Sequence, residues 1–244
     1  MGIDMFCEAR GGSKSDGALS LSWYTKRIRP SNMPRVPFVR KGAAEEVFSG
    51  DPAAVRALAK TLKSGVSIPT VYVPSTDKLY LMLMPDSTYL RCQLRTRKID
   101  ENYPLVFADY WRGVKAAGFE AGISAALWWD SDTAYLFKGA DYLRYSLKND
   151  KVDEGYPQNI AVRWDDFADT GFSTGIDAAF RCPPDWSDSD SKPGDAFFFR
   201  NDKVILFRGG KVAPGFPMKI GDLFPELGTA GVTRVLAAWA SPHE

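Results

Sequence analysis

Two segments of the chain, residues 134–145 (AYLFKGADYLRY) and 196–207 (AFFFRNDKVILF), repeat one pattern of aromatic, basic and turn residues without a gap. In each, large apolar residues sit side by side: Leu136 with Phe137, Phe198 with Phe199. Neighbours along a strand point to opposite faces, so these strands predict a sheet covered on both sides. Each segment follows a related strand, Gly122 to Leu127 (GISAAL) or Gly175 to Phe180 (GIDAAF). Each precedes a glycine-aromatic-proline triplet, Gly155-Tyr156-Pro157 or Gly215-Phe216-Pro217, and then a short aromatic segment. The order of features is the same both times, as in an internal repeat.

Two weaker copies come earlier. In one, Ile68 to Val73 stands as first strand, Leu79 to Leu83 as second, and Asn102-Tyr103-Pro104 replaces the triplet. In the other, Gly2-Ile3-Asp4 echoes Gly175-Ile176-Asp177, and Ala18 to Tyr24 alternates as a second strand. Asp51 to Leu62 reads as an amphipathic helix with Asp51 as N-cap and Pro52 at its first position. The marker isoleucines at 3, 68, 123 and 176 are separated by 65, 55 and 53 residues, which gives units of about 1–64, 65–121, 122–174 and 175–244. Residues 231–239 fit two descriptions. They form a fifth strand start that completes a ring, or a helix with Val232, Val235, Leu236 and Trp239 on one stripe.

A small antiparallel sheet that is apolar on both faces cannot bury itself, and radial stacking of several solves this. The expected fold is therefore all-β, a four-bladed β-propeller in one domain with short helices between blades. The repeats resemble the hemopexin-like family. The resemblance rests on the I-D-A-A-F start at Ile176, the I-S-A-A-L start at Ile123, the run Tyr135 to Tyr145, and V-D-E-G-Y-P at Val152 to Pro157. Secreted members of that family often join first and last blades by a disulfide. Here no cysteine near residue 244 can pair with Cys7, so closure is expected to be non-covalent.

Composition narrows the functional classes. With 31 Lys and Arg against 30 Asp and Glu, the net charge is +1, which gives no global attraction to nucleic acid or anionic membrane. The single histidine, His243, argues against multi-histidine zinc centres and histidine-ligated haem. Cys7, Cys92 and Cys182 are widely spaced and read as buried, reduced thiols. The start of the sequence lacks secretory-signal character and no apolar run is long enough to span a membrane, so a cytoplasmic setting is the expectation.

Several candidate sites follow. Small residues such as Ala125, Ala126, Ala178 and Ala179 would let four inner strands approach one axis and aim carbonyls at it. That arrangement is a cage for a structural Ca²⁺ or Na⁺, with a water-filled tunnel as the alternative. The resemblance implies that the ring comprises the carbonyls of Asp4, Pro69, Ser124 and Asp177. Arg10, Tyr24, Tyr72, Trp128 and Arg181 are candidates to bind a small molecule or glycan at the channel mouth. Trp128, Trp129 and Trp186 fall near loops of one rim, where aromatic faces could stack on sugars. The loop 182–191 carries three aspartates and three serines and reads either as a binding excursion or as a solvated one. The basic, proline-containing stretch 26–35 reads as a protected sheet edge or a docking surface.

No GxSxG, HExxH, P-loop or dinucleotide turn is present, and Gly11 to Ser15 lacks phosphate-loop spacing. The expectation is a non-enzymatic binding protein. The alternative is a cofactor-free biosynthetic enzyme of cyclase or cycloaddition type, which uses the channel as a shaped pocket.

Overall fold

The fold was obtained as a computed structural model. The structure describes residues 2–10, 19–27, 39–42, 47–186 and 191–241. It contains four antiparallel sheets. The first holds β1 (Gly2–Arg10), β2 (Leu19–Arg27) and β3 (Val39–Gly42), and helix α1 (Pro52–Lys63) follows it. The second holds β4 (Thr70–Val73), β5 (Lys78–Leu83), β6 (Thr88–Gln93), β7 (Lys98–Ile99) and β8 (Leu105–Val106), followed by α2 (Phe107–Tyr110). The third holds β9 (Ala125–Trp128), β10 (Thr133–Lys138), β11 (Asp141–Ser146), β12 (Lys151–Val152) and β13 (Gln158–Asn159), followed by α3 (Ile160–Arg163). The fourth holds β14 (Ala178–Arg181), β15 (Ala196–Arg200), β16 (Lys203–Arg208), β17 (Lys211–Val212) and β18 (Met218–Lys219), with α4 (Ile220–Leu223) and α5 (Pro225–Thr229) after it.

The last strand, β19 (Val232–Ser241), returns to the first sheet and pairs antiparallel with β1, Gly2 opposite Ser241 and Ala9 opposite Val232. Residues 231–239 are thus a strand, not a helix. Their apolar stripe at helical spacing is also compatible with a strand buried on both faces. Closure is non-covalent, and Cys7, Cys92 and Cys182 are buried and form no disulfide. Burial pushes the Cys92 thiol up to about 12, so it stays protonated.

Each gap between neighbouring blades is a separate apolar core. Leu136 faces the core shared with blade two and Phe137 the core shared with blade four. Phe198 and Phe199 divide in the same way between the two cores flanking blade four. The two-sided strands of the sequence are therefore the walls between cores. Each turn triplet has a left-handed first residue, with φ of +82° at Gly155, +85° at Gly215 and +65° at Asn102. Asn tolerates that conformation better than most side chains, which is why it can replace the glycine in blade two. Helix α1 begins as its sequence specifies: the Asp51 carboxylate accepts from the Ala53 N–H at 2.7 Å, and Leu58 and Leu62 are buried.

Candidate functional site

Strands β4, β9, β14 and β19 neighbour one another in a ring, so these four line the axis. This corrects the expectation for blade one: β1 is its second strand, and β19 takes the inner place. The level of each inner strand follows from its pairing. Thr70 lies opposite Leu81 as Ala126 lies opposite Leu136 and Ala179 opposite Phe198. Leu81, Leu136 and Phe198 each face the core shared with the preceding blade, as Ala238 does on β19. Counting two residues back from this layer gives Ile68, Ser124 and Asp177; on β19 a bulge at Leu236 interrupts the count.

The expected carbonyl ring of Asp4, Pro69, Ser124 and Asp177 is corrected accordingly. Ser124 and Asp177 are level, Pro69 is one residue out of register, and Asp4 is on the second strand. One of these oxygens already has a donor, since the Pro69 carbonyl accepts from the Met82 N–H at 3.0 Å; on β19 the Leu236 carbonyl accepts from the Ile68 N–H at 2.7 Å. The carboxylates are engaged as well. Asp4 is buried, accepts from the Thr25 hydroxyl, and pairs with Arg97 at 3.3 Å. Asp177 accepts two bonds from the Arg234 guanidinium, at 2.9 and 3.0 Å. Arg234 also donates to the Ser67 hydroxyl, so a side-chain cation stands at this end of the ring. Among the described residues no three His, Cys, Asp or Glu side chains cluster as metal ligands. The carboxylates expected beside the axis are thus both committed to arginines.

The opposite end of the ring, where the inner strands finish, holds a narrow pocket. Thr70 and Tyr72 of β4, Trp128 of β9, Arg181 of β14 and Ala240 of β19 line it. The expected residues Tyr72, Trp128 and Arg181 thus converge. The other two do not join them. Tyr24 lies on β2 in the core between blades four and one. Arg10 ends β1, away from the inner ring, and its side chain is outside the described residues. The centre of a water-sized sphere can reach about 20 Å³ of the pocket, room for one or two waters or one small ion.

Arg181 sets the electrostatics of this mouth. Its guanidinium lies 4.4 Å from the Trp129 ring centroid and donates to the carbonyls of Gly194 (3.2 Å) and Trp129. Among the described residues no carboxylate forms an ion pair with it, though Asp130 adds a favourable charge at longer range. Burial lowers its proton affinity, the sign expected of a cation moved out of water. The Trp128 Nε1–H is buried without a hydrogen-bond partner. Tyr72 donates to Asp77 at 3.2 Å, and burial, then Asp77, raises its phenol above the usual range. The mouth therefore carries the positive charge of Arg181, with the unpartnered Trp128 N–H buried in one of its lining residues.

The rim tryptophans are not open platforms. Trp129 is covered by Arg181 and meets Trp164 edge-on at 5.7 Å. Trp186 is buried and donates to Ser191 at 2.8 Å. Asp188, Ser189 and Asp190 of the long loop, Gly11 to Ser15, His243 and most of the basic stretch 26–35 lie outside the described residues. Two features were missed in the sequence. Arg234 carries no motif of its own. An aromatic groove between blades two and three, lined by Tyr80, Tyr89, Tyr103, Tyr110, Trp111 and Tyr145, draws on four separate segments. The density of rings at 103–111 was its one local signal.

Comparison with known proteins agrees with this architecture. The hemopexin family model matches residues 123–168, the third blade. Matrix metalloproteinase-21 of Xenopus laevis is 30% identical over 149 residues, 57% of this chain but 22% of that protein. Albumin-2 of Lathyrus sativus is 28% identical over 139 residues, 57% of this chain and 53% of that protein. The matches thus span between about a fifth and half of these relatives' own length. In three dimensions the chain is similar to LS24, a seed albumin from Lathyrus sativus, with a TM-score of 0.65, 19% identity, and coverage of 90% and 94% of the two chains. It is also similar to a Cicer arietinum plant lectin described with two metal binding sites, with a TM-score of 0.62, 20% identity, and coverage of 89% and 94%.

Proposed function

We propose that this hemopexin-like repeat protein is a non-enzymatic binding module whose axial mouth takes a small anionic, hydrogen-bond-accepting ligand of carboxylate or halide size. The observation that carries this reading is Arg181. A half-buried guanidinium lines the pocket with no carboxylate paired to it among the described residues, beside an unpartnered Trp128 N–H. A buried N–H without a partner and a half-buried cation without a counter-charge are both costly, and an anionic acceptor in the pocket would offset both. The fold neighbours are seed albumins and a lectin, which is compatible with a binding role. The tight pocket argues against a channel that encloses a cyclisation substrate, and equally against a sugar ring at the mouth.

A thermal-shift series with sodium formate, acetate and bromide tests the proposal. A ligand at about a hundredfold its Kd adds about 2.7 kcal/mol, worth about 5–10 °C in a chain of this size. The expected result is such a rise in the wild type and its loss in Arg181→Gln. No anion-dependent rise, or an equal rise in the variant, would reject it.

A further inference from the structure

The aromatic groove between blades two and three has a different character from the axial mouth. It encloses about 440 Å³, within the roughly 300–1,000 Å³ of small-molecule sites. Its floor is the solvent end of the core between these blades, with Tyr89, Trp111 and Tyr145 buried. Tyr110, at the end of α2, is 53% exposed and presents a free aromatic surface at the edge. The facing wall comes from blade three, where Tyr145 donates to Asp150 at 2.7 Å and Lys148 adds a donor.

We infer that this groove binds a neutral pyranose of a glycan, with Tyr110 as the stacking edge. Ring geometry and charge point to that class. Within the blade-two wall the rings meet near right angles, Tyr89 at 88° to Trp111 and 78° to Tyr103, and Tyr80 at 89° to Trp111, while across the groove Trp111 meets Tyr145 at 47°. Sandwiching a flat heteroaromatic ring would take two parallel walls about 7 Å apart, twice the usual contact distance of about 3.5 Å. The near-parallel pair here, Tyr80 and Tyr89, has centroids 6.2 Å apart, too close to admit one. A chair-shaped sugar presents C–H groups on both faces and hydroxyls around its edge, so it suits orthogonal aromatic walls with a polar rim. The ionic groups of the rim are largely neutralised within the protein. Arg91 pairs with Asp100 at 2.5 Å and lies 5.3 Å from the Tyr103 ring centroid, and Asp150 pairs with Arg112 at 3.4 Å. What remains are hydroxyl, amine and carboxylate partners of both hydrogen-bonding senses, the complement of an uncharged polyol. Lys148 disfavours an organic cation in the aromatic cage.

The inference is independent of the anion reading of the mouth, and the test separates them. The wild type, Tyr110→Ala, Tyr110→Phe and Arg181→Gln proteins are applied to an array of neutral, sialylated and sulfated glycans. Any neutral hit is titrated as its free methyl glycoside by calorimetry. Expected is binding of neutral pyranosides that falls at least about tenfold in Tyr110→Ala, a loss of about 1.4 kcal/mol or more. Tyr110→Phe and Arg181→Gln should remain within about twofold of wild type, the former because it keeps the ring. Because Tyr110 is exposed, its truncation should leave the melting temperature unchanged. Binding of no neutral glycan, binding confined to charged glycans, or binding lost in Arg181→Gln but kept in Tyr110→Ala would each overturn it.

Discussion

Arg234 of the closing strand holds Asp177, at the start of blade four's inner strand, through a two-pronged ion pair of 2.9 and 3.0 Å. The same guanidinium reaches the Ser67 hydroxyl before blade two. One side chain therefore ties three blades at the point where the chain's two ends must meet. The hydrogen-bonded ion pair, then burial acting against it, sets Arg234's proton affinity above the ordinary value.

Removing this clamp should loosen the ring. Hydrogen bonds to charged groups contribute about 1.5–3 kcal/mol, and Arg234 is one-third exposed, so Arg234→Ala should cost about 2 kcal/mol. That corresponds to a fall of about 4–8 °C in melting temperature. A double-mutant cycle with Asp177→Asn isolates the pair term. A fall below about 1 °C would show that β19 is held by backbone pairing and packing alone.

Calcium should have little effect. Asp4 and Asp177, the acids expected beside the axis, each pair with an arginine, and the inner-strand carbonyls of Pro69 and Leu236 already accept N–H bonds. Melting temperature should stay the same with added calcium and with a chelator. A rise that follows calcium concentration would show linkage to a bound ion and contradict this reading.

The repeat pattern carried the blade architecture because its information is local. Paired apolar residues such as Phe198 and Phe199, and a left-handed glycine before an aromatic and a proline, state their environment within a few positions. The inner ring was only partly legible. Tyr72, Trp128 and Arg181 stand at equivalent places near the ends of β4, β9 and β14 and line one pocket, a placement that the repeat already implies. Asp4 was misplaced because its segment imitates a first strand while β19 takes that place, and strand order within a sheet is a long-range property. Pro69 was misplaced by one residue because Ile68 stands two residues before Thr70, whereas Ile123 and Ile176 stand three before the equivalent Ala126 and Ala179. Arg234 and the aromatic groove depend on contacts between blades, which the pattern within a blade does not encode.

Alkaline pH should unfold the protein through its tyrosines. Burial, reinforced by Asp150, raises the Tyr145 phenol, and burial with Tyr156 pushes Tyr142 up to about 12. Burial also raises Tyr72, Tyr89, Tyr103 and Tyr135. A folded value above the unfolded one, about 10, means that stability is full below about pH 10 and is lost as pH climbs toward the folded values. At about pH 11 the native protein should show clearly fewer phenolates by ultraviolet absorbance than the denatured chain with its 10 tyrosines ionising freely. Equal absorbance of the native and denatured forms would contradict the burial of these rings.

The axial mouth can be tested directly by anomalous diffraction from crystals soaked in sodium bromide and, separately, in rubidium chloride. In the proposed function Arg181, with the unpartnered Trp128 N–H beside it, makes the mouth a place for an acceptor. A bromide peak is expected at the strand-end mouth, within hydrogen-bonding reach of Arg181 or the Trp128 N–H, and no rubidium there. Rubidium at that position, or bromide bound elsewhere with the mouth empty, would contradict it.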